Sequence, residues 1–347
     1  MQNPPSVTSG PDRLGRPLRN LRLSVTDRCN LRCDYCMPEE EYVWLPKQRL
    51  LTFEEIEVLV DVFLGLGTRR VRLTGGEPLL RRGLDGLVRR LAHKPGLEDL
   101  AMTTNGLRLV EQAQDLRDAG LGRLTISIDT LRPQRYRELT RRDDLRSALA
   151  GIEAAAAAGF WPIKLNTVVM RGVNDDELLD LLEFARAGGH ELRFIEYMDV
   201  GGATRWNPET VVPRTEILER IQADCGPVTA EPHQGSAPAQ RFRLQDGSLF
   251  GIVASTSAPF CGTCDRARLT ADGHLFTCLY AREGLDLLEP LRAGRSPAEL
   301  ADLVASRWAL RLDRGAEERL KLPSRGSLAG TDELRDDPLL EMHTRGG

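Results

Sequence analysis

Short apolar runs alternate with amphipathic stretches over the first two thirds of the chain. Residues 21–25, Leu-Arg-Leu-Ser-Val, read as a strand, and 26–47 as a long loop. Thr52-Phe53-Glu54-Glu55 then carries the chemistry of a helix capping box, and the apolar series behind it, 56–66, stops at Gly67. The unit recurs. Strand runs at 70–73, 97–102, 123–128, 162–170 and 191–197 are followed by helical patterns at 84–92, 109–119, 145–158, 175–187 and 215–223. With the first unit this makes six strand–helix repeats, the pattern of a parallel sheet covered by helices. A closed barrel of this kind has eight, so an incomplete (βα)6 TIM-like barrel competes with a doubly wound sheet, and the α/β barrel is the expectation.

Either architecture gathers chemistry at the carboxyl ends of its strands. The polar motifs fall there. The first strand is followed by a cysteine loop, the second by Thr74-Gly75-Gly76-Glu77-Pro78, the third by Thr103-Thr104-Asn105-Gly106, the fourth by Asp129-Thr130 and the sixth by Met198-Asp199. Character changes near Gly226: 231–239 is rich in Pro, Gly and Ser, and 240–244 with 249–254 read as a hairpin around Asp246-Gly247. A second cysteine group with a turn at Asp272-Gly273, helical patterns at 286–293 and 297–310, and a polar tail ending in Gly346-Gly347 complete the chain. The expected divisions are a flexible arm (1–20), a partial barrel (21–225), a C-terminal α+β region (226–320) closing its mouth, and a tail (321–347).

A net charge of -4 and a pI near 5.9 argue against a generally nucleic-acid-binding or membrane-surface protein. No apolar segment has the length of a signal peptide or a membrane span, so a cytoplasmic location is expected, where clustered cysteines read as metal ligands rather than disulfides. Only Lys47, Lys94, Lys164 and Lys321 among the 47 basic residues are lysines, which leaves many guanidinium forks suited to phosphate. The 7 cysteines fall as two triads plus Cys225, which reads as a buried apolar residue.

Cys29, Cys33 and Cys36 have CxxxCxxC spacing. A structural zinc ion or an electron-transfer iron–sulfur cubane takes four protein ligands, so three thiolates leave one metal with a position for something else. An open iron–sulfur cluster is the reading, with a zinc site or unrelated buried thiols as alternatives. Cys261, Cys264 and Cys278 form the second triad. A zinc knuckle completed by His274 competes there with a second open cluster, although His274, beside Asp272-Gly273, reads as an exposed turn residue. Arg266 and Arg268 lie two apart on a strand pattern between these thiols, so both guanidinium groups project the same way.

The cysteine loop with Tyr35 before Cys36, followed one strand later by Gly75-Gly76-Glu77-Pro78, resembles the radical S-adenosylmethionine enzymes. The segment from Pro259 to Leu269, with Ala271-Asp272-Gly273, Cys278-Leu279 and the terminal glycines, is similar to one branch of them, the GTP 3′,8-cyclases of molybdenum cofactor biosynthesis (the protein A family). The resemblance implies two 4Fe–4S clusters, one on each triad, and S-adenosyl-L-methionine at Tyr35, Gly76, Ser127 and Met198. It places GTP against Arg22, Arg72, Thr103, Lys164, Arg193 and Arg266-Ala267-Arg268, and gives Cys29, Cys33, Cys36, Arg266 and Arg268 catalytic roles. Arg72, flanked by Val71 and Leu73, has the alternation to point into a barrel. The implied product is (8S)-3′,8-cyclo-7,8-dihydroguanosine 5′-triphosphate, made with an electron donor such as flavodoxin or ferredoxin and passed to cyclic pyranopterin monophosphate synthase; a homodimer stays open. In that family the glycine tail reaches the active site, but here Arg345 replaces the expected apolar residue beside the glycines. A radical enzyme that matures peptides and a non-catalytic zinc protein are the other readings.

Overall fold

The computed structural model describes residues 10–346. Six parallel strands pair in chain order: β1 (Asn20–Ser24), β2 (Arg70–Thr74), β3 (Asp99–Thr104), β4 (Arg123–Ser127), β5 (Lys164–Val169) and β6 (Glu191–Glu196). Between and after them run α1 (Phe53–Gly65), α2 (Leu84–Ala92), α3 (Leu109–Asp118), α4 (Pro133–Thr140), α5 (Leu145–Ala157), α6 (Leu178–Ala187) and α7 (Arg214–Cys225). The capping box is real: Thr52 Oγ1 accepts from Glu55 N at 3.1 Å and Glu55 Oε2 from Thr52 N at 2.8 Å. Alternation along each strand sets the layers. On β1, Leu21 and Leu23 are buried among the helices, and the polar Arg22 between them turns to the inner face.

The C-terminal region does not form a lobe of its own but extends both edges of this sheet. β7 (Thr229–Ala230), β8 (Gln240–Arg243) and β9 (Leu249–Val253) add to β6, with β9 parallel to it. β10 (Arg266–Leu269), β11 (His274–Phe276) and β12 (Leu285–Asp286) add to β1, with β10 parallel to it. The result is one sheet of 12 strands. Its register matters chemically: Arg268, Arg22 and Arg72 are cross-strand neighbours on β10, β1 and β2, so three guanidinium groups share one row. After the sheet come α8 (Leu288–Arg292), α9 (Pro297–Ala309), α10 (Gly315–Leu320), α11 (Thr331–Asp336) and α12 (Met342–Arg345).

Several details differ from the sequence expectation. Of the arm expected over 1–20, residues 1–9 lie outside the described residues, while Asp12, Arg16 and Leu18 are buried and anchor the rest. Helix α4, with Pro133 at its first turn, was not expected, because its face is mostly charged and only Tyr136, Leu139 and Thr140 are buried. Helix α6 starts at Leu178 rather than 175, since Asn174 spends its amide on the carbonyls of Asp129 and Val168 and accepts from Met170 N. His274 is no exposed turn residue: it lies on β11, mostly buried, against Asp272 at 3.1 Å and Asp286 at 3.7 Å. Cys225 is half-buried at the edge of the core. Among the described residues no helix is long and apolar enough to cross a membrane.

Candidate active site

The barrel interior holds a cavity of about 890 Å³. All six triad cysteines line it, Cys29, Cys33 and Cys36 from the loop after β1, the other three from the segments around β10 and β11. The glycine pair after β2 explains how the first loop is held. Gly76 N donates to Thr26 O at 2.9 Å and Glu77 N to Arg28 O at 2.7 Å, and a Cβ on Gly76 would stand 2.2 Å from Arg28 O. What needs the glycine is therefore the backbone leading into Cys29. Cys36 is fixed in the same manner, since a Cβ on Gly202 would lie 1.9 Å from its carbonyl oxygen.

Glu77 ties this loop to the next. Buried, it accepts from Thr104 Oγ1 at 2.7 Å and Asn105 N at 2.8 Å, while Asn105 Nδ2 donates to Asn30 Oδ1 at 2.8 Å. Burial pushes its carboxyl up to about 7 against these hydrogen bonds. Tyr35 donates its hydroxyl to Asp129 at 2.7 Å, and burial likewise raises Asp129 to about 6. Burial and the neighbouring Glu77 raise the Cys29 thiol to about 11, and burial with the other two thiols raises Cys33. Three half-buried thiols that all resist ionisation fit a site whose cationic iron supplies the missing charge.

The second triad differs. Burial would raise Cys264, but Arg266 and Arg311 pull it down to about 6. Arg266 donates Nε and Nη2 to its sulfur at 3.4 and 3.3 Å, and Arg311 donates Nη2 at 3.4 Å. These donors, together with the buried Arg16 Nη2, which has no hydrogen-bond partner among the described residues, suit a polyanionic iron–sulfur centre. Among the described residues no three His, Cys, Asp or Glu side chains converge as a single-ion site.

Between the triads runs a basic wall. Arg22, Arg72, Arg268, Lys164 and Arg193 all line the cavity. Arg72 Nη1 donates to the hydroxyls of Thr103 and Thr125, at 3.1 and 3.0 Å. Burial lowers Arg72 and Arg268 to about 10, and burial with Arg193 and Arg123 lowers Lys164 to about 7. Arg22 is depressed by burial and by Arg268, Arg266 and Arg72. Among the described residues none of Arg22, Arg72, Arg268 and Lys164 forms an ion pair with a carboxylate, whereas Arg193 pairs with Glu191 at 2.9 Å. Ser127 and Met198 line the same cavity. Ala267 does not: its side chain is buried in the core on the opposite face of β10, so only its backbone could meet a ligand.

The tail reaches this wall. Arg268 Nη1 donates to Gly346 O at 2.6 Å and Arg345 O at 3.3 Å, and Arg22 Nη1 to Gly346 O at 3.5 Å. A Cβ on Gly346 would fall 2.3 Å from Thr74 Cγ2, so only glycine fits. Arg345, out of place by sequence pattern, is fully buried with its guanidinium over Phe276 at 4.1 Å and Nη1 on Leu279 O at 2.9 Å. Gly347 lies outside the described residues.

Asp199 was named in the sequence as a motif member without a role. It receives Arg325 Nε and Nη2, each at 2.8 Å, Tyr280 Oη at 2.9 Å, and Arg319 Nε, fastening the loop after β6 to α10 and the tail. Burial raises its carboxyl, but Arg325 and Arg319 win and hold it below the usual range. Its contribution to stability is therefore complete at neutral pH and is lost as acid titrates it through that lowered value. Asp199→Asn leaves two guanidinium groups without their charge partner and should cost about 3–5 kcal/mol. Thermal unfolding checks this, with a midpoint several degrees lower expected.

Comparison with known proteins agrees with this geometry. Residues 23–185 match the Radical SAM superfamily and residues 190–316 match Molybdenum Cofactor Synthesis C. The chain is 52% identical over 340 residues to GTP 3′,8-cyclase 1 of Mycobacterium tuberculosis, covering 97% of this chain and 95% of that protein. It is 49% identical to the GTP 3′,8-cyclase of Xanthomonas axonopodis pv. citri, covering 91% of this chain and 95% of the relative. Among solved structures, Streptococcus suis SuiB matches with a TM-score of 0.59 at 14% identity, over 89% of this chain and 69% of that one, a likeness of fold alone. With half its residues shared with these relatives along nearly its whole length, the chain belongs to the GTP 3′,8-cyclase family of radical S-adenosylmethionine enzymes.

Proposed function

We propose that this protein converts GTP to 3′,8-cyclo-7,8-dihydroguanosine 5′-triphosphate in the first step of molybdenum cofactor biosynthesis. The observation that carries the reading is the row of cavity-lining cations, which among the described residues have no carboxylate partners, set between two cysteine triads in one cavity. Guanidinium and ammonium groups that repel one another across one cavity are stabilised by a polyanion, and a triphosphate matches several forks at once.

Cys29, Cys33 and Cys36 would hold a 4Fe–4S cluster that, with S-adenosyl-L-methionine bound, supplies a 5′-deoxyadenosyl radical able to take the hydrogen from ribose C3′. Cys261, Cys264 and Cys278 would hold a second cluster near the purine. Arg22, Arg72, Lys164 and Arg193 take the phosphates, and Thr103 stays on Arg72. Arg268 holds the tail carbonyls across the cavity and so helps exclude water while C3′ joins C8. An outside one-electron donor such as flavodoxin or ferredoxin is required by this reading.

A pH effect follows. Lys164 binds phosphate as a cation but loses its proton near pH 7 in the free protein, through burial and the adjoining Arg193 and Arg123, partly offset by Glu191. Apparent GTP affinity scales with the protonated fraction, so it should weaken about fivefold between pH 7 and 8. Calorimetric titration with GTP checks this; Lys164→Met should bind more weakly at pH 7 and lose most of the pH dependence. Anaerobically reconstituted protein given S-adenosylmethionine, dithionite and GTP tests the reaction: deoxyadenosine released while GTP stays unchanged would refute it.

A further inference from the structure

The N-terminal arm ends in a buried ion-pair triad that the reaction as described does not use. Asp12 Oδ2 accepts from Arg16 Nε at 2.6 Å and from Arg311 Nη1 at 3.3 Å, and the three side chains are 0%, 2% and 1% exposed. Each arginine also reaches the second triad. Arg16 Nη1 donates to Cys261 O at 2.9 Å, and Arg311 donates Nη1 to Cys264 O at 2.7 Å and Nη2 to Cys264 Sγ at 3.4 Å. Trp308 completes the brace: its ring lies 4.5 Å beneath the Arg311 guanidinium, and its Nε1 donates to Arg16 O at 3.1 Å.

The distribution of donors among the three sulfurs is uneven. Cys264 receives N–H groups from two guanidinium cations, whereas Cys278 Sγ receives the Tyr280 backbone N–H at 3.4 Å. Asp12 lies against Arg16 and Arg311, and Asp313 lies 3.6 Å from Arg311 Nε, so with Arg266 these three guanidinium groups exceed their two carboxylates by one positive charge. Hydrogen bonds to cluster sulfurs and nearby positive charge favour the more negative, reduced state of an iron–sulfur centre.

Resting on the two-cluster reading above, we infer that Arg311, oriented by Asp12 and Arg16, is a positioning residue that raises the reduction potential of the second cluster through the Cys264 sulfur. The couple takes up one electron, from dithionite in the titration below, with no bond made or broken. Asp12 and Arg16 are then part of the redox machinery.

The test isolates the second centre with Cys29→Ala, Cys33→Ala and Cys36→Ala together and titrates it with dithionite under electron paramagnetic resonance. Adding Arg311→Gln should lower the reduced-to-oxidised ratio at fixed poise about tenfold, a drop of about 59 mV for a one-electron couple. Arg311→Lys keeps the charge but loses the fork, and should give a smaller shift of the same sign. It also decides the matter if the Gln variant binds no iron. A brace of purely structural use would change iron content or thermal midpoint and leave the potential where it was. Unmoved potentials in iron-loaded variants overturn the inference alone; a triple variant without iron overturns the second cluster and the inference with it.

Discussion

Gly76→Ala is expected to lower deoxyadenosine formation about 100-fold or more, even with S-adenosylmethionine and dithionite in excess. The added methyl would stand 2.2 Å from Arg28 O, 2.5 Å from Arg28 C and 2.7 Å from Asp27 O. These are backbone atoms and cannot swing aside as a side chain would. Relief must come from moving the chain just before Cys29, which also breaks the pair of hydrogen bonds between 76–77 and 26–28. A displacement of about 1 Å at a reacting centre is enough for a loss of that size. Gly202→Ala, against Cys36 O at 1.9 Å, should behave alike. Gly86→Ala is the control. It lies on α2, away from both triads, with nothing within 4 Å of an added Cβ, and should retain full activity. Iron content and deoxyadenosine yield of the three variants check the argument; a fully active Gly76→Ala would refute it.

Arg268→Ala should reduce GTP turnover while leaving S-adenosylmethionine cleavage intact. The Arg268 guanidinium makes the hydrogen bonds that hold Arg345 O and Gly346 O against the wall. A hydrogen bond to a charged group contributes about 1.5–3 kcal/mol, which converts to a loss of roughly 10- to 150-fold from the tail alone. Loss of a phosphate partner would add to it. Deoxyadenosine then accumulates without consumption of GTP, and equal losses in both products would contradict the assignment. Arg266 must be treated separately, because its guanidinium is spent on Cys264 Sγ. A double replacement of Arg266 and Arg268 therefore perturbs the second triad as well as the substrate wall.

The parallel sheet was legible because its signal is local. Each strand–helix unit repeats a two-residue period followed by a 3.6-residue period, and the polar motifs at the strand ends inherit their common location from that order. The edges were not. The 240–254 hairpin is readable from Asp246-Gly247, but nothing within it says that β9 lies beside β6, or that β10 lies beside β1 to complete the arginine row. The charged face of α4 hid a helix, and the polar arm hid Asp12 and Arg16, whose burial depends on Arg311 far along the chain. Arg345 shows the same limit. An apolar residue fits the expected pattern there, yet Phe276 and the Leu279 carbonyl accommodate a guanidinium with no exposed surface. The cysteines were found from spacing, and the glycine pair and Arg72 from the family resemblance, with alternation pointing Arg72 inward. Glu77, Asp129, Asp199 and Arg311 needed three-dimensional neighbours, because each carboxylate or guanidinium acts on a residue remote in sequence.

The central claim is that one cavity brings a radical source and a triphosphate wall to the same ribose. Anaerobic turnover of GTP deuterated at C3′, with mass spectrometry of the 5′-deoxyadenosine released, tests it most directly. The account predicts deoxyadenosine carrying that deuterium together with consumption of GTP to its cyclic isomer. Deoxyadenosine free of label while GTP is consumed, or no consumption of GTP by cluster-loaded protein that cleaves S-adenosylmethionine, would contradict it.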